Sequence, residues 1–414
     1  MALVRPFQAV RPTPERAKDV AALPYDVMNS AEAREMVKGN PYSFLHVDKA
    51  EIDLDPSVDL YDPQVYRKAA ENLQAMVTQG ILRQEKNPCF YIYRQTMDGR
   101  AQTGLVACTS IDEYLNNTIK KHELTREDKE QDRIRHVDIC DANTGPIFLT
   151  YRAQAGIDEI ISGWVKSHSP VYDFKSDDGI GHAVWVVDAA ETIQALAEAF
   201  KQVPSLYIAD GHHRNASAVK VGLMRREASG GAYNPEAEFN FYLSVIFPHD
   251  QLYIMDYNRV VKDLNGFSKD EFMQKVAEGF TVTPQHGPYR PEELHTFGMY
   301  LDGKWYKLAA KPENIPTDAV GALDVSILQN SLLAPVLNIQ DPRTEKRIDF
   351  VGGMRGLAEL ERRVNSGEMT VAFSMFPTSL SELMGVADAG DIMPPKSTWF
   401  EPKLRSGLFI HQLS

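Results

Sequence analysis

Two histidines and an arginine stand directly behind a short apolar run in Ser205–Ala218, SLYIADGHHRNASA. Leu206 to Ile208 read as a buried strand. Asn215 to Glu227 read as a helix, with Ala216, Val219 and Leu223 on its apolar face. Gly211 to Arg214 therefore fall at a helix N-terminus, where unpaired amides and the positive dipole end favour an anion. Gly211 allows close backbone approach, and Arg214 can grip phosphate oxygens with its planar fork. Adjacent side chains diverge, so His212 and His213 are poor partners for chelating one metal, and no metal ligand set is assigned. The plainer reading makes Asp210 the helix cap and leaves the histidines to satisfy local backbone groups.

Three other stretches carry chemistry-capable residues. MPPKSTWFEPK holds Lys396, Ser397, Thr398 and Lys403 but lacks the glycines of a Walker loop. Its plainer reading is a double-proline turn leading into a strand, with Lys396 solvated. In IKKHELTREDKEQDR, Glu123 suits a general base or magnesium ligand and Arg133 a phosphate clamp, and His122 lies beside them. Read without context, that stretch is a solvated charged helix. LPYDV contributes Tyr25 and Asp26 next to a proline turn.

The elements needed to position these groups are mixed. CFYIYRQTMDGRAQTGLVAC predicts a hairpin turning at Asp98-Gly99. Thr125 and Asp128 stand at capping-box spacing before a helix that must stop ahead of Asn143, Gly145 and Pro146. RIDFV, GLAELERRVNSG and MTVAFSMF predict strand, helix and strand in a βαβ-type unit, and a further helix runs from about Ser379 to Val386. DDGIGHAVWVV reads as a hairpin turn rather than a dinucleotide fingerprint, because the third glycine is missing. Glu51 to Pro63, acidic and proline-punctuated, predicts a surface loop. Fold class is accordingly mixed α/β.

At 414 residues the chain exceeds one ordinary hydrophobic core, so two or three subdomains within a single 1–414 unit are expected. Lysine and arginine number 44 against 57 acidic residues, and 44 − 57 = −13 argues against nucleic-acid or membrane partners. The cysteines, Cys89, Cys108 and Cys140, lack CxxC spacing, which argues against disulfides or structural zinc. With no long apolar segment, the expected location is cytoplasmic. Oligomeric state is not encoded in any of these features.

The segments RPFQAVRP, LPYDV, NPYSFLHV, KHELT, TGPIF, YIADGHHR, LDVSILQNSLL and MPPKSTWFEPK together resemble the Domain of Unknown Function 1015 family, from Arg5 to about Ile410. Separately, ADGHHRNASA is similar to the DGxHRxxA phosphate motif of the ParB and sulfiredoxin superfamily, which includes nucleotide-dependent free serine kinases. The second resemblance implies a ParB/sulfiredoxin-like phosphate-binding element that meets nucleotide phosphates at a helix start. The first resemblance, through the company its relatives keep with serine biosynthesis, leans the substrate toward serine or phosphoserine.

The resulting expectation is a small-molecule phosphotransferase using ATP or ADP with Mg2+. Gly211, His213 and Arg214 hold the phosphates, helped by Arg133, Thr398 and Lys403. Lys396 and Ser397 close on the transferred group. Glu123, Asp26 or Asp210 serves as base or magnesium ligand, and His212 belongs to the same catalytic set. Tyr25, Asp26 and His122 contact the acceptor. A phosphohydrolase of a phosphorylated metabolite uses the same cradle with water as acceptor, and a nonenzymatic nucleotide-binding regulator uses it without turnover.

Overall fold

A computed structural model describes residues 1–414 as two compact units, Met1–Leu252 with Pro402–Ser414, and Tyr253–Glu401. No helix is long and apolar enough to cross a membrane. All three cysteines are buried and free.

The first unit is built on a nine-stranded mixed sheet. Its strand order is Ile119–Lys120, Leu206–Asp210, Ile147–Tyr151, Phe241–Pro248, Arg100–Ser110, Phe90–Met97, Gly181–Val187 and Tyr172–Lys175, with Val4–Arg5 also pairing Arg100–Ser110. The expected hairpin forms, with Met97 opposite Arg100 and Asp98 and Gly99 both at positive φ, as a two-residue turn with right-handed strand twist requires. Side chains alternate across the Phe90–Met97 strand. Phe90 and Ile92 join Ile157, Ile161, Leu196 and Phe200 from the helices Ala155–Ser167 and Ala190–Phe200. Tyr91 and Tyr93 pack on Phe409 from the C-terminal segment. Both sheet faces are thereby covered, and each large apolar side chain so buried stabilises by about 1.5–3 kcal/mol.

The second unit carries a six-stranded antiparallel sheet in the order Phe280–Gln285, Lys304–Ala310, Thr296–Leu301, Val371–Met375, Tyr257–Val261 and Ile348–Gly352. The strand, helix and strand expected near the C-terminus are Ile348–Gly352, Gly356–Asn365 and Val371–Met375. The two strands do not pair with each other: each is antiparallel to Tyr257–Val261, which lies between them. Leu360 of the helix packs on Val260, Val351 and Ala372.

Two local expectations are corrected. Thr125 does not cap the helix Glu127–Cys140; Arg126 is the N-cap residue, and the Thr125 hydroxyl donates to Glu130 Oε2 at 2.7 Å. The stretch from Glu51 is not all surface loop, since Ala50–Asp53 is a 3₁₀ turn whose Glu51 is buried against Ser30 Oγ at 2.7 Å and Lys49 Nζ at 3.0 Å.

His182 sits in the first unit between Tyr93 Oη at 2.8 Å and Ser176 Oγ at 3.0 Å, with Arg405 Nε at 3.4 Å from Nε2. A guanidinium can only donate, so Nε2 accepts and the proton resides on Nδ1. Burial, with the Arg405 charge, pushes the imidazole down to about 3. The unfolded chain takes up this proton near pH 6.5 and the folded chain does not, so stability falls as pH drops from about 6.5 to 3, by up to about 1.4 kcal/mol per unit. Denaturant titrations across that window should show a shallower slope for His182→Gln than for the parent.

Candidate functional site

The strand Leu206–Asp210 ends in an irregularity. Its pairing with Ile147–Tyr151 slips between Ile208 and Asp210, and this bulge sets the direction in which Asp210 leaves the sheet. Gly211 follows at φ 91°, a conformation that strains residues with a Cβ, and the helix His212–Ala228 begins at once. Gly211 is the N-cap residue and no side chain caps the helix. The plainer reading of Asp210 as the cap is therefore corrected. Asp210 Oδ1 accepts from the Gly211 amide at 2.8 Å, and Oδ2 pairs with Lys403 Nζ at 3.0 Å. Burial raises the Asp210 pKa, but the Lys403 and Arg214 charges outweigh it and hold the carboxyl well below its usual range. Such a carboxylate is a strong counterion and a weak proton acceptor.

Arg214 leans back over the turn, with Nη1 donating to the Pro146 carbonyl at 2.6 Å. Its Nε is buried with no hydrogen-bond partner. The guanidinium borders a cavity of about 20 Å³ that Tyr25, Asp48, Arg133, Thr144 and Gly145 also line, room for about one water. The helix Glu127–Cys140 does not present Arg133 to solvent as a charged surface helix would. Its guanidinium is buried on Asp132, at 2.9 Å from Nε, and lies 4.1 Å from the Tyr25 ring centroid. Burial, with the Asp26 charge, raises the Tyr25 phenol well above its ordinary value, so it stays protonated. Asp26 itself is exposed. Asp48 and Thr144 also face this cavity, joined by a 2.7 Å hydrogen bond from the Thr144 hydroxyl. Neither was named as a site residue from sequence, although Asp48 borders NPYSFLHV and Thr144 opens TGPIF, two segments that carry the family resemblance.

His213 and His212 point apart, as adjacent side chains must. His213 Nε2 accepts from the Arg126 amide at 3.0 Å, fixing the start of the helix Glu127–Cys140. His212 turns inward to meet His122 edge-on, with ring centroids 4.5 Å apart, and its Nδ1 lies 3.9 Å from Glu123 Oε2. The two-residue strand Ile119–Lys120 runs parallel to Leu206–Asp210, so both chains leave the sheet at the same edge and side by side. His122 and His212 are 1% and 6% exposed, yet His212 Nε2 has no hydrogen-bond partner and the His122 ring meets only a poorly formed backbone contact at Ile208. Each orphaned polar atom costs about 1–3 kcal/mol in a dry interior. Burial pushes the His122 imidazole down to about 4, and burial with His122 nearby takes His212 well below its usual value. This donor set, two neutral imidazoles and one carboxylate, does not match the all-oxygen shell magnesium prefers.

Lys396, Ser397 and Thr398 belong to the second unit. Lys396 is exposed, at φ 61°, and its carbonyl accepts from Arg259 Nη2 at 2.9 Å. The buried Ser397 hydroxyl donates to the Pro394 carbonyl at 2.6 Å, closing the double-proline turn. Thr398 is half-buried beside it. The remaining sequence candidates, Tyr25, Asp26, His122, Glu123, Arg133, Asp210 to Arg214 and Lys403, all lie in the first unit.

No curated protein matches the chain. Among solved structures, a free serine kinase in complex with AMP superposes at TM-score 0.36 and 14% identity, covering 74% of this chain and 91% of that one. A conserved hypothetical protein from Pyrococcus furiosus gives 0.35 and 15%, covering 73% and 94%. SbnI from Staphylococcus aureus, C-terminally truncated, gives 0.38 and 12%, covering 74% and 86%. The family described as "Protein of unknown function (DUF1015)" matches residues 4–326, stopping short of the MPPKST segment. That is 323 of 414 residues, and the chain belongs to this family.

Proposed function

We propose that the first unit is a nucleotide-using phosphotransferase acting on a small hydroxylated metabolite, with serine as the first acceptor to test. The observation that carries the reading is the uncapped helix start at Gly211, with the unpartnered Nε of Arg214 beside it. An anion seated there meets first-turn amides, the helix dipole and a guanidinium at one point. Phosphoryl transfer needs chiefly positioning and charge neutralisation, which these groups supply. The DGxHRxxA motif supports the same assignment from sequence, with the first unit as a ParB/sulfiredoxin-like element.

The roles divide by chemistry. Gly211 and Arg214 take phosphate oxygens, and Lys403 holds Asp210 so that the turn keeps its shape. Tyr25 and Arg133 wall the adjoining cavity. Asp26, exposed beside Tyr25, is the better base for an acceptor hydroxyl than Asp210, whose proton affinity is low. Lys396 and Ser397 belong to the second unit and take no part in this reading. The nucleotide brings its own divalent ion if it uses one, and no step here depends on it.

Arg214→Ala should weaken ADP binding roughly 10- to 100-fold, the loss of charge-assisted hydrogen bonds of about 1.5–3 kcal/mol. Calorimetric titration of parent and variant measures it, and equal affinity in a folded variant removes the cradle assignment. Turnover separates the alternatives. Phosphoserine formed from ATP and serine supports the transferase, phosphate release without nucleotide favours a hydrolase, and tight binding without turnover favours a regulator.

Lys403→Met leaves the Asp210 carboxylate without its cation. The expected loss of stability is about 1–3 kcal/mol, less than for a fully buried pair because Asp210 keeps some solvent access. The Asp210 pKa is depressed, so its contribution is present above the unfolded value of about 3.9 and fades only in stronger acid. Denaturant unfolding should show a parent–variant gap that is constant between about pH 5 and 8 and narrows below about pH 4.

A further inference from the structure

His122 and His212 bring two buried imidazoles to one point, and Glu123 adds a carboxylate at the solvent side. One ligand atom from each residue can be chosen so that all three lie within 4.8 Å of one another. Tetrahedral zinc holds its nitrogen ligands at roughly 2.0–2.1 Å, which separates them by roughly 3.3 Å, so modest side-chain rotation closes the set. Both imidazoles are anchored on backbone that cannot easily drift, one just after a strand and one at the first residue of a long helix. Ordinary buried histidines in this protein find hydrogen-bond partners: His136 meets the Val47 carbonyl, and His411 meets Asn143 and Glu238. The three ring nitrogens of His122 and His212 make no well-formed hydrogen bond, the His122 ring having only a backbone contact at Ile208.

We infer that His122, Glu123 and His212 form a binding site for one divalent transition ion of the zinc class. Imidazole nitrogen suits zinc, cobalt and iron, whereas magnesium demands oxygen and keeps its waters. Three protein ligands with one side toward solvent leave a coordination position for water or an incoming oxygen, the arrangement of a reactive rather than a purely structural ion. The site stands independently of the phosphotransferase reading, since neither Arg214 nor Lys403 is among its ligands.

The experiment uses tag-free, chelator-treated full-length protein titrated with Co2+, whose visible absorption reports a low-coordinate nitrogen and oxygen shell, followed by Zn2+ competition. One equivalent of Co2+ should bind with such a spectrum, Zn2+ should displace it, and excess Mg2+ should not. Glu123→Gln, at a half-exposed position, should keep the parent melting temperature without metal and lose about tenfold or more in Co2+ affinity. His122→Asn and His212→Asn should lose the spectrum. Arg214→Ala should bind Co2+ like the parent, even where its ADP affinity has fallen. Absence of stoichiometric Co2+ or Zn2+ binding to the parent overturns the site, as does unchanged affinity in folded Glu123→Gln together with either histidine variant.

Discussion

The Asp210 carboxylate, held between the Gly211 amide and the Lys403 ammonium, is the interaction on which the first unit's site depends. It occurs where a strand must become a helix within one residue. Gly211 makes the turn sterically possible by accepting a positive φ, and the carboxylate holds the turn in place. Because Asp210 satisfies Gly211 and not the helix interior, the helix start is left without a side-chain cap. An ordinary N-cap aspartate would have filled that position and placed negative charge at the helix N-terminus.

The cation partner comes from 193 residues further along the chain, after the whole second unit has been traversed. The same C-terminal segment supplies Arg405 to Asp178 and His182, Phe409 to Tyr91 and Tyr93, and His411 to Asn143 and Glu238. These thirteen residues are therefore structural members of the first unit's core and polar network. Fixing Asp210 from the distant C-terminal segment also ties the integrity of the turn to completion of the whole unit. Such long-range closure costs chain entropy that only the finished core offsets.

Charge is handled differently at neighbouring points of the site. Around Asp210 and Arg133, opposite charges from Lys403 and Asp132 meet them directly, so burial is compensated and these two groups remain ionised. Around His122 and His212 the neighbouring carboxylates of Glu123 and Asp210 do not outweigh burial, which lowers the proton affinity of both imidazoles. One edge of one sheet thus presents a turn carrying Arg214, Asp210 and Lys403 beside a nitrogen-rich cluster. The parallel pairing of Ile119–Lys120 with Leu206–Asp210 is what sets them side by side.

The sequence by itself determined what depends on contiguous residues. Asp98-Gly99 announced its hairpin, the apolar run from Leu206 its strand, and Gly211 to Arg214 a helix N-terminus, because turn sterics and side-chain periodicity act over a few positions. The mixed α/β class followed from the same signals. Tertiary structure decided the rest. Whether Asp210 caps or pairs depended on Lys403; whether Arg133 is solvated depended on Asp132, Tyr25 and the packing of its helix; and the meeting of His122 with His212 depended on strand order. None of these has a local signature, since hydrogen-bond pairing between distant strands leaves no mark in the spacing of either one. The strand between the two C-terminal βαβ-type strands, Tyr257–Val261, lies some 90 residues before the nearer of them, so nothing in their own spacing marks its place between them.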